Sequence, residues 1–360
     1  MLFLILIFVS TSLMASPFKP QDNEVILELL PQQILTNAQK LQQQFNKNPD
    51  NLSLAIELAK EYISESRYQG YAQAVLKKWW NLENIPIPVL LLRINLYQKQ
   101  HKFTQALEDL TKLLSINQNN NQALLTRAFI YRTQGKYALA LNDCRKLASV
   151  IITRICYSSI ISLQGKAKLA YKTLQQLRIE DIVLKQWVLT EMAQIAERLG
   201  NNIQAEKHFS DAFKIKNQDY YLYNSYADFL IWNNKPQQLI ELFEDLAKNN
   251  LALRLRIIIA GKSSQEDIKY LQANFEIEKA RNSTLHLAEQ ARFLLTLEQD
   301  LSNAFSLAKQ NWAIQKEPLD AIIYLQLALA TNKSVPNLVN WIKQNKLEDV
   351  RIQSLLGKFE

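Results

Sequence analysis

The sequence has 360 residues, of which 48% are hydrophobic and 21% charged, and it carries a formal net charge of +8. Lysine and arginine never occur three in a row and are mixed with acidic residues, so we interpret the excess charge as a solvated surface and expect no nucleic-acid partner. The three histidines lie far apart, and no P-loop, GxSxG or HExxH motif occurs. The sequence therefore predicts no enzyme, no metal site and no cofactor.

The N-terminus begins with an apolar run, "LFLILIFVSTSLMA", which is too short to span a bilayer comfortably. The run ends at the small residue Ala15, a pattern typical of a secretory signal peptide. We predict a signal peptide over residues 1–15, cleavage before Ser16, and a tether over residues 16–30. The protein would then be periplasmic or otherwise exported. Once the signal peptide is cleaved, it would not be an integral membrane protein. A buried N-terminal helix or an uncleaved anchor is the alternative.

A pattern of small and large residues recurs along the middle of the chain around five anchor positions. The anchors are separated by 34, 30, 35 and 34 residues, a period that marks a repeat protein. They are His101, Gly135, Gly165, Gly200 and Asn234. An earlier unit has Ser66 at the anchor and then slips by one residue.

Each unit is predicted to be two helices joined by a tight turn. Apolar residues recur every three or four positions on both sides of the anchor, as amphipathic helices require. The anchor itself is glycine or a polar residue, which suits a left-handed turn. Small residues such as Ala128 and Ala140 would allow the two helices to approach closely, while Tyr131 and Tyr137 fill the space that remains.

These spacings resemble the tetratricopeptide repeat family, most clearly in "INLYQKQHKFTQALEDLTKLLSINQ" and "RAFIYRTQGKYALALNDCRKL". The resemblance implies an all-α fold, a right-handed superhelical solenoid of antiparallel helix pairs over residues 31–250. Residues 251–360 are interpreted as degenerate helical repeats that end in a C-terminal cap, in one continuous superhelix. Within them, "SSQED" predicts a capping box between Ser263 and Glu266.

The same resemblance implies that the first helices of the units line a concave groove. Amides, hydroxyls and aromatic rings at those positions suit an extended peptide, whose backbone needs hydrogen-bond partners. Packing of Trp187 and Tyr221 between units is the alternative. The candidate groove residues are Asn95, Gln98, Phe129, Arg132, Trp187, Gln194, Tyr221, Asn224 and Asp228, together with Ser159, Ser162 and Glu197. Of the histidines, His101 in a turn and His208 on a second helix are expected at the surface.

The two cysteines, Cys144 and Cys156, lie on helices that should be neighbours. We expect two buried free thiols, because cysteine is a common core residue. A disulfide, which is possible in an oxidising compartment, is the alternative. The sequence as a whole predicts a non-catalytic interaction scaffold of the cell envelope that binds a protein or an extended peptide. A support component of a polysaccharide-handling or enzymatic envelope complex is the second hypothesis.

Overall fold

The computed structural model describes residues 36–64, 68–215 and 217–359. The expected signal peptide, the tether and the Ser66 anchor lie outside these residues. The described chain is all α-helical, with no strand in the ranges given above. Its helices are α1 (Thr36–Lys47), α2 (Leu52–Ser64), α3 (Gln69–Val75), α4 (Lys77–Trp80), α5 (Ile87–Lys99), α6 (Phe103–Ile116), α7 (Asn121–Thr133), α8 (Tyr137–Cys144), α9 (Val150–Ile161), α10 (Ala167–Gln175), α11 (Ile182–Arg198), α12 (Asn202–Phe213), α13 (Tyr220–Trp232), α14 (Pro236–Ala247), α15 (Leu251–Ile259), α16 (Gln265–Ala280), α17 (Leu287–Phe293), α18 (Leu301–Ile314), α19 (Pro318–Ala330), α20 (Pro336–Asn345) and α21 (Val350–Leu356).

The five anchors have the backbone conformation that the sequence predicts. Their φ angles are 55° at His101, 71° at Gly135, 72° at Gly165, 78° at Gly200 and 54° at Asn234. In four of the five turns, all except the one at Gly165, the residue after the anchor donates its N–H to a carbonyl near the end of the first helix, as Lys136 does to Tyr131 at 2.8 Å. The left-handed residue thus reverses the chain and satisfies a carbonyl at the helix end.

The packing inside each pair also follows the predicted pattern. The small residues of the second helices are fully buried where the two helices meet: Ala106, Ala140, Ala170 and Ala205. Cys144 occupies the next inward position of α8 and is bonded to Cys156 of α9, with the two Cα atoms 5.8 Å apart. The expectation of two free thiols is therefore wrong, and the alternative, a disulfide, is present. An all-α solenoid of tetratricopeptide-like helix pairs is confirmed.

Three local expectations differ from the structure. The capping box before α16 joins Ser264 and Asp267, one residue later than expected, because α16 begins at Gln265. His208 is largely buried and lies 2.8 Å from the Tyr171 hydroxyl. His101 is half-buried, with its ring 5.4 Å from that of Phe103. The expectation that these two histidines lie at the surface is therefore wrong.

The C-terminal helices return to the middle of the chain. The turn after α18 meets the end of α7, where Lys316 donates its N–H to the Thr133 carbonyl at 2.7 Å. Further along, Glu348 accepts from the N–H of Ala167 at 2.8 Å, and Val350 packs on Gly200. We call this line of contacts, between the turns at Gly135, Gly165 and Gly200 and residues 316–351, the seam. It joins helix pairs that are five or six pairs apart in the described chain.

Candidate functional site

A large cavity lies inside the superhelix that the seam closes. Its volume is about 1580 Å³. Its wall is formed by the ends of first helices, by α16 and by the loops at residues 281–286 and 315–320. Side-chain amides and tyrosines are common in this wall: Gln69, Gln73, Gln100, Gln194, Asn224, Asn249, Asn250, Asn274, Asn282 and Gln315, with Tyr71, Tyr220, Tyr221 and Tyr270.

The structure brings five of the nine candidate groove residues to this wall: Arg132, Gln194, Tyr221, Asn224 and Asp228. Glu197 lies there too. The other four candidates, Asn95, Gln98, Phe129 and Trp187, are half-buried and do not line the cavity.

Phe129 and Trp187 contact each other, with ring centroids 5.5 Å apart. They belong to α7 and α11, the first helices of two units that are not adjacent. Between them runs α9, whose Ser159 and Ser162 are small and fully buried. Trp187 therefore packs between units, while Tyr221, half of whose surface is exposed, faces the cavity.

Polar atoms on α11 and α13 form one cluster in the wall. Gln194 donates from its amide nitrogen to Ser225 at 2.9 Å, and its side chain also meets the Tyr221 hydroxyl at 3.0 Å. The buried Oδ1 atom of Asn224 has no hydrogen-bond partner within the described chain. Because an unmade buried hydrogen bond is costly, a rotation of the Asn224 side chain that brings this oxygen to a ligand N–H would be favoured.

Charged groups form ion pairs at the floor of the cavity. Asp228 accepts from Arg256 at 2.6 Å and from Arg292 at 2.7 Å. Burial alone would raise the pKa of Asp228, but the two guanidinium groups lower it overall. Arg256 also approaches Glu289 at 3.5 Å. Asp228 is therefore an anion that links α13 to α15 and α17. Its negative charge is already balanced by Arg256 and Arg292.

The C-terminal segment contributes charges that the sequence did not point to. Arg132 pairs with Glu317 at 3.1 Å, and Arg351 pairs with Glu197 and Asp349. Arg198 donates to the backbone oxygen and hydroxyl of Ser162 at 2.7 and 2.9 Å. No sequence motif predicts such ion pairs, because their partners are far apart in the chain: Arg132 and Glu317 are separated by 185 positions.

Two acidic groups in the wall have unusual proton affinities. Burial raises the pKa of Glu197 to about 7, although Arg351 opposes the change. Burial, with nearby Glu317, raises the pKa of Asp320 to about 8, although Asn311 donates to it at 2.7 Å. Both groups can thus gain or lose a proton near neutral pH.

Among the described residues, no group of three or more His, Cys, Asp or Glu is placed to hold a metal ion. In the same part of the chain, no helix is long and apolar enough to cross a membrane. The arrangement is one of hydrogen-bonding amides, hydroxyls and rings around a wide polar space.

Comparison with known proteins gives structural likenesses only. No family model and no curated protein matches the sequence. A tetratricopeptide repeat protein from Parabacteroides merdae is 19% identical, with 62% of this chain and 91% of that chain covered and a TM-score of 0.49. A monomeric mutant of IFIT1 with Gppp-AAAA is 14% identical, covers 90% of this chain and 75% of its own, and has a TM-score of 0.40. The P58(IPK) TPR domain is also 14% identical, with 89% and 97% covered and a TM-score of 0.21. At these scores the likenesses carry no inference about ligands, and the description of the fold rests on the helix pairs themselves.

Proposed function

We propose that the protein is a non-catalytic interaction scaffold that binds an extended polypeptide in the central cavity. The observation that carries this proposal is the cluster on α11 and α13, where Tyr221 is half exposed beside Gln194 and the Asn224 oxygen lacks a partner. An extended peptide offers backbone N–H and C=O groups at short intervals, and amides can satisfy both. Tyrosine adds flat apolar contact at low conformational cost.

The test is a double variant, Tyr221→Ala with Asn224→Ala, in a pull-down of the native polypeptide partner from an envelope extract. Truncation of an anchor residue at an interface commonly costs about 2 kcal/mol, so we expect capture to weaken by roughly thirtyfold or more. The matched control is Ile116→Ala with Ile182→Ala, two exposed apolar residues that do not line the cavity. Undiminished capture by the folded double variant would exclude this wall as the binding site. Glycan binding or turnover by the purified protein, without a polypeptide partner, would favour the second hypothesis instead.

We further propose that the protein works outside the cytoplasm. The Cys144–Cys156 disulfide supports this, because structural disulfides persist in oxidising compartments. The apolar segment that ends at Ala15 supplies the export signal. N-terminal sequencing of the protein from its native host should find Ser16 first, and an intact Met1 would contradict cleavage.

A further inference from the structure

Lysine follows the left-handed residue in most of the turns between paired helices. These lysines are Lys102, Lys136, Lys166, Lys235, Lys262 and Lys333. Two of them are neutralised, since Lys235 pairs with Glu206 and Lys262 with Glu244, each at 2.6 Å. Lys136 and Lys166 form no ion pair with a described carboxylate. They lie at two of the three turns that the seam covers.

The seam adds further lysines at these same turns. A β-carbon placed on Gly135 would lie 3.1 Å from Cδ of Lys316, and one placed on Gly165 would lie 3.0 Å from Cβ of Lys346. Lys168, Lys343 and Lys346 together border a recess of about 530 Å³ between α10 and the C-terminal helices. The ammonium groups of Lys136 and Lys316 are close enough to interact. Burial lowers the pKa of Lys316, and the charge of Lys136 lowers it further.

The acidic residues beside these lysines are already engaged. Glu317 pairs with Arg132, Asp349 pairs with Arg351, and Glu348 accepts from the backbone of Ala167. Six lysines therefore carry positive charge without a paired carboxylate in the described chain: Lys136, Lys166, Lys168, Lys316, Lys343 and Lys346.

Large aliphatic side chains protrude along the same surface. Leu139, Leu169 and Ile203 lie in the first turns of α8, α10 and α12, three or four residues after a seam glycine. Val350, which packs on Gly200, belongs to the same row. Their exposed fractions are 49%, 56%, 81% and 48%. A row of protruding aliphatic side chains beside lysines without a paired carboxylate is typical of a surface that a partner shields.

We propose that these six lysines and four aliphatic residues, here called the lysine band, bind the surface of an anionic lipid bilayer. Lysines within reach of anionic headgroups attract them, and protruding aliphatic side chains enter the boundary between headgroups and acyl chains. A nucleic acid would favour arginine forks and stacking rings, and the band contains neither. The attachment is peripheral and on the outside of the superhelix, so it does not depend on what the cavity binds.

The test is cosedimentation of the full protein with vesicles of mixed phosphatidylcholine and phosphatidylglycerol, and with vesicles of phosphatidylcholine alone. We expect binding to the mixed vesicles only, and weaker binding as salt is raised. Replacement of Lys166, Lys168 and Lys343 by glutamine should reduce the partition coefficient about a hundredfold, since each lysine near an anionic surface is worth about fivefold. Ile203→Gln should reduce it further, by about tenfold, because the isoleucine no longer enters the boundary region.

The matched control replaces Lys40, Lys60 and Lys112 by glutamine. These lysines are exposed, have no ion pair with a described residue and lie outside the band, and the change in net charge is the same. Equal loss of binding in both triple variants would overturn the proposal, because total charge alone would then explain it. Binding to polyglutamate or RNA but not to mixed vesicles, or an Ile203→Gln variant that binds vesicles as well as the wild type, would overturn it too.

Discussion

Glycine stands at the three turns that the C-terminal segment covers; the backbone angle favours it at all three, and the available space also restricts the residue at Gly135 and Gly165. At Gly135 the φ angle is 71°, and a β-carbon would lie 2.8 Å from the Trp341 ring. Asn234 has a similar φ of 54°, which asparagine tolerates better than most residues. The sequence pattern predicts the left-handed angle at these positions. It does not predict the close approach of Trp341, which lies about two hundred residues further along.

The two requirements can be separated by comparing Gly135→Ala with Gly261→Ala. Both glycines have positive φ, but a β-carbon on Gly261 would meet nothing within 4 Å. We expect Gly261→Ala to cost about 1 kcal/mol, from backbone strain alone. Gly135→Ala should cost about 1–3 kcal/mol more, because Trp341 must move. Urea unfolding of both variants measures the difference, and equal losses would show that Trp341 yields without cost.

Glu197 makes stability depend on pH. Its ordinary pKa is 4.5, and burial raises the pKa to about 7 in the folded protein. Between these values the folded state keeps a proton that the unfolded state has lost, so this residue makes the free energy of unfolding fall as pH rises from about 4.5 to about 7. Glu197→Gln removes this titration while Arg351 keeps its contact with Asp349.

We expect the stability of the Glu197→Gln variant relative to the wild type to increase across that interval, by roughly 2–4 kcal/mol in total. Thermal or urea unfolding at a series of pH values measures it. Parallel stability curves for the two proteins would mean that Glu197 is ionised in the folded protein over the whole interval. The ion pair with Arg351 would then outweigh the effect of burial.

At the scale of the helix, the unusual 30-residue step between the anchors at 135 and 165 corresponds to a shortened element. α8 has 8 residues, whereas α6 has 14 and α12 has 12. Relative to α12, α8 is shorter by about one helical turn, so its buried face still points in the same direction. The disulfide from Cys144 to α9 lies where the missing turn would have packed, and it fastens the short helix to the next unit.

Replacing both cysteines by alanine should therefore lower stability. The disulfide closes a short loop, with a sequence separation of 12, for which the loss of loop entropy in the unfolded chain gives about 3 kcal/mol. Urea unfolding of the Cys144→Ala, Cys156→Ala variant tests this, and added reductant should then have no further effect. A variant as stable as the oxidised wild type would mean that packing alone holds α8 in place.

Several element ends could not be read from the sequence, for physical reasons that differ. Before α16, two serines each precede an acidic residue by three positions, so Ser263 and Ser264 predict equally good capping boxes. The helix after His286 continues past Phe293 as a π-helical turn over Leu294–Glu298 and ends at Gln299 with φ of 57°. Apolar periodicity extends through both forms of helix and does not distinguish them.

At the scale of the whole molecule, the repeat pattern predicts the unit but not the rotation between units. Closure after five or six pairs results from that rotation, summed over pairs whose interfaces differ in detail. The family resemblance predicts that the first helices line the groove. Gln194 and Tyr221, which it places there, do reach the cavity, because those helices line the interior. Glu317, Asp320 and Arg351 could not be found in this way, since they enter the site from the far side of the seam.

Closure itself can be tested at Trp341. This side chain lies over Gly135, with its ring 6.1 Å from that of Tyr137 and 5.0 Å from that of Trp312. Trp341→Ala removes the largest apolar contact at that turn, which should cost roughly 2–4 kcal/mol. Because neighbouring contacts dominate the stability of a repeat array, we expect the loss to appear first along the seam.

Hydrogen exchange can detect this opening residue by residue. The Lys316 amide, which donates to Thr133, and the Ala167 amide, which donates to Glu348, should both exchange faster in Trp341→Ala. The control is Trp79→Ala, which truncates a buried tryptophan of α4 and should speed exchange in the first helices only. If Trp341→Ala left the Ala167 amide as protected as in the wild type, the seam would not open as one unit. The cavity would then be closed by independent contacts at each turn, and a partner could enter by separating a single pair of turns.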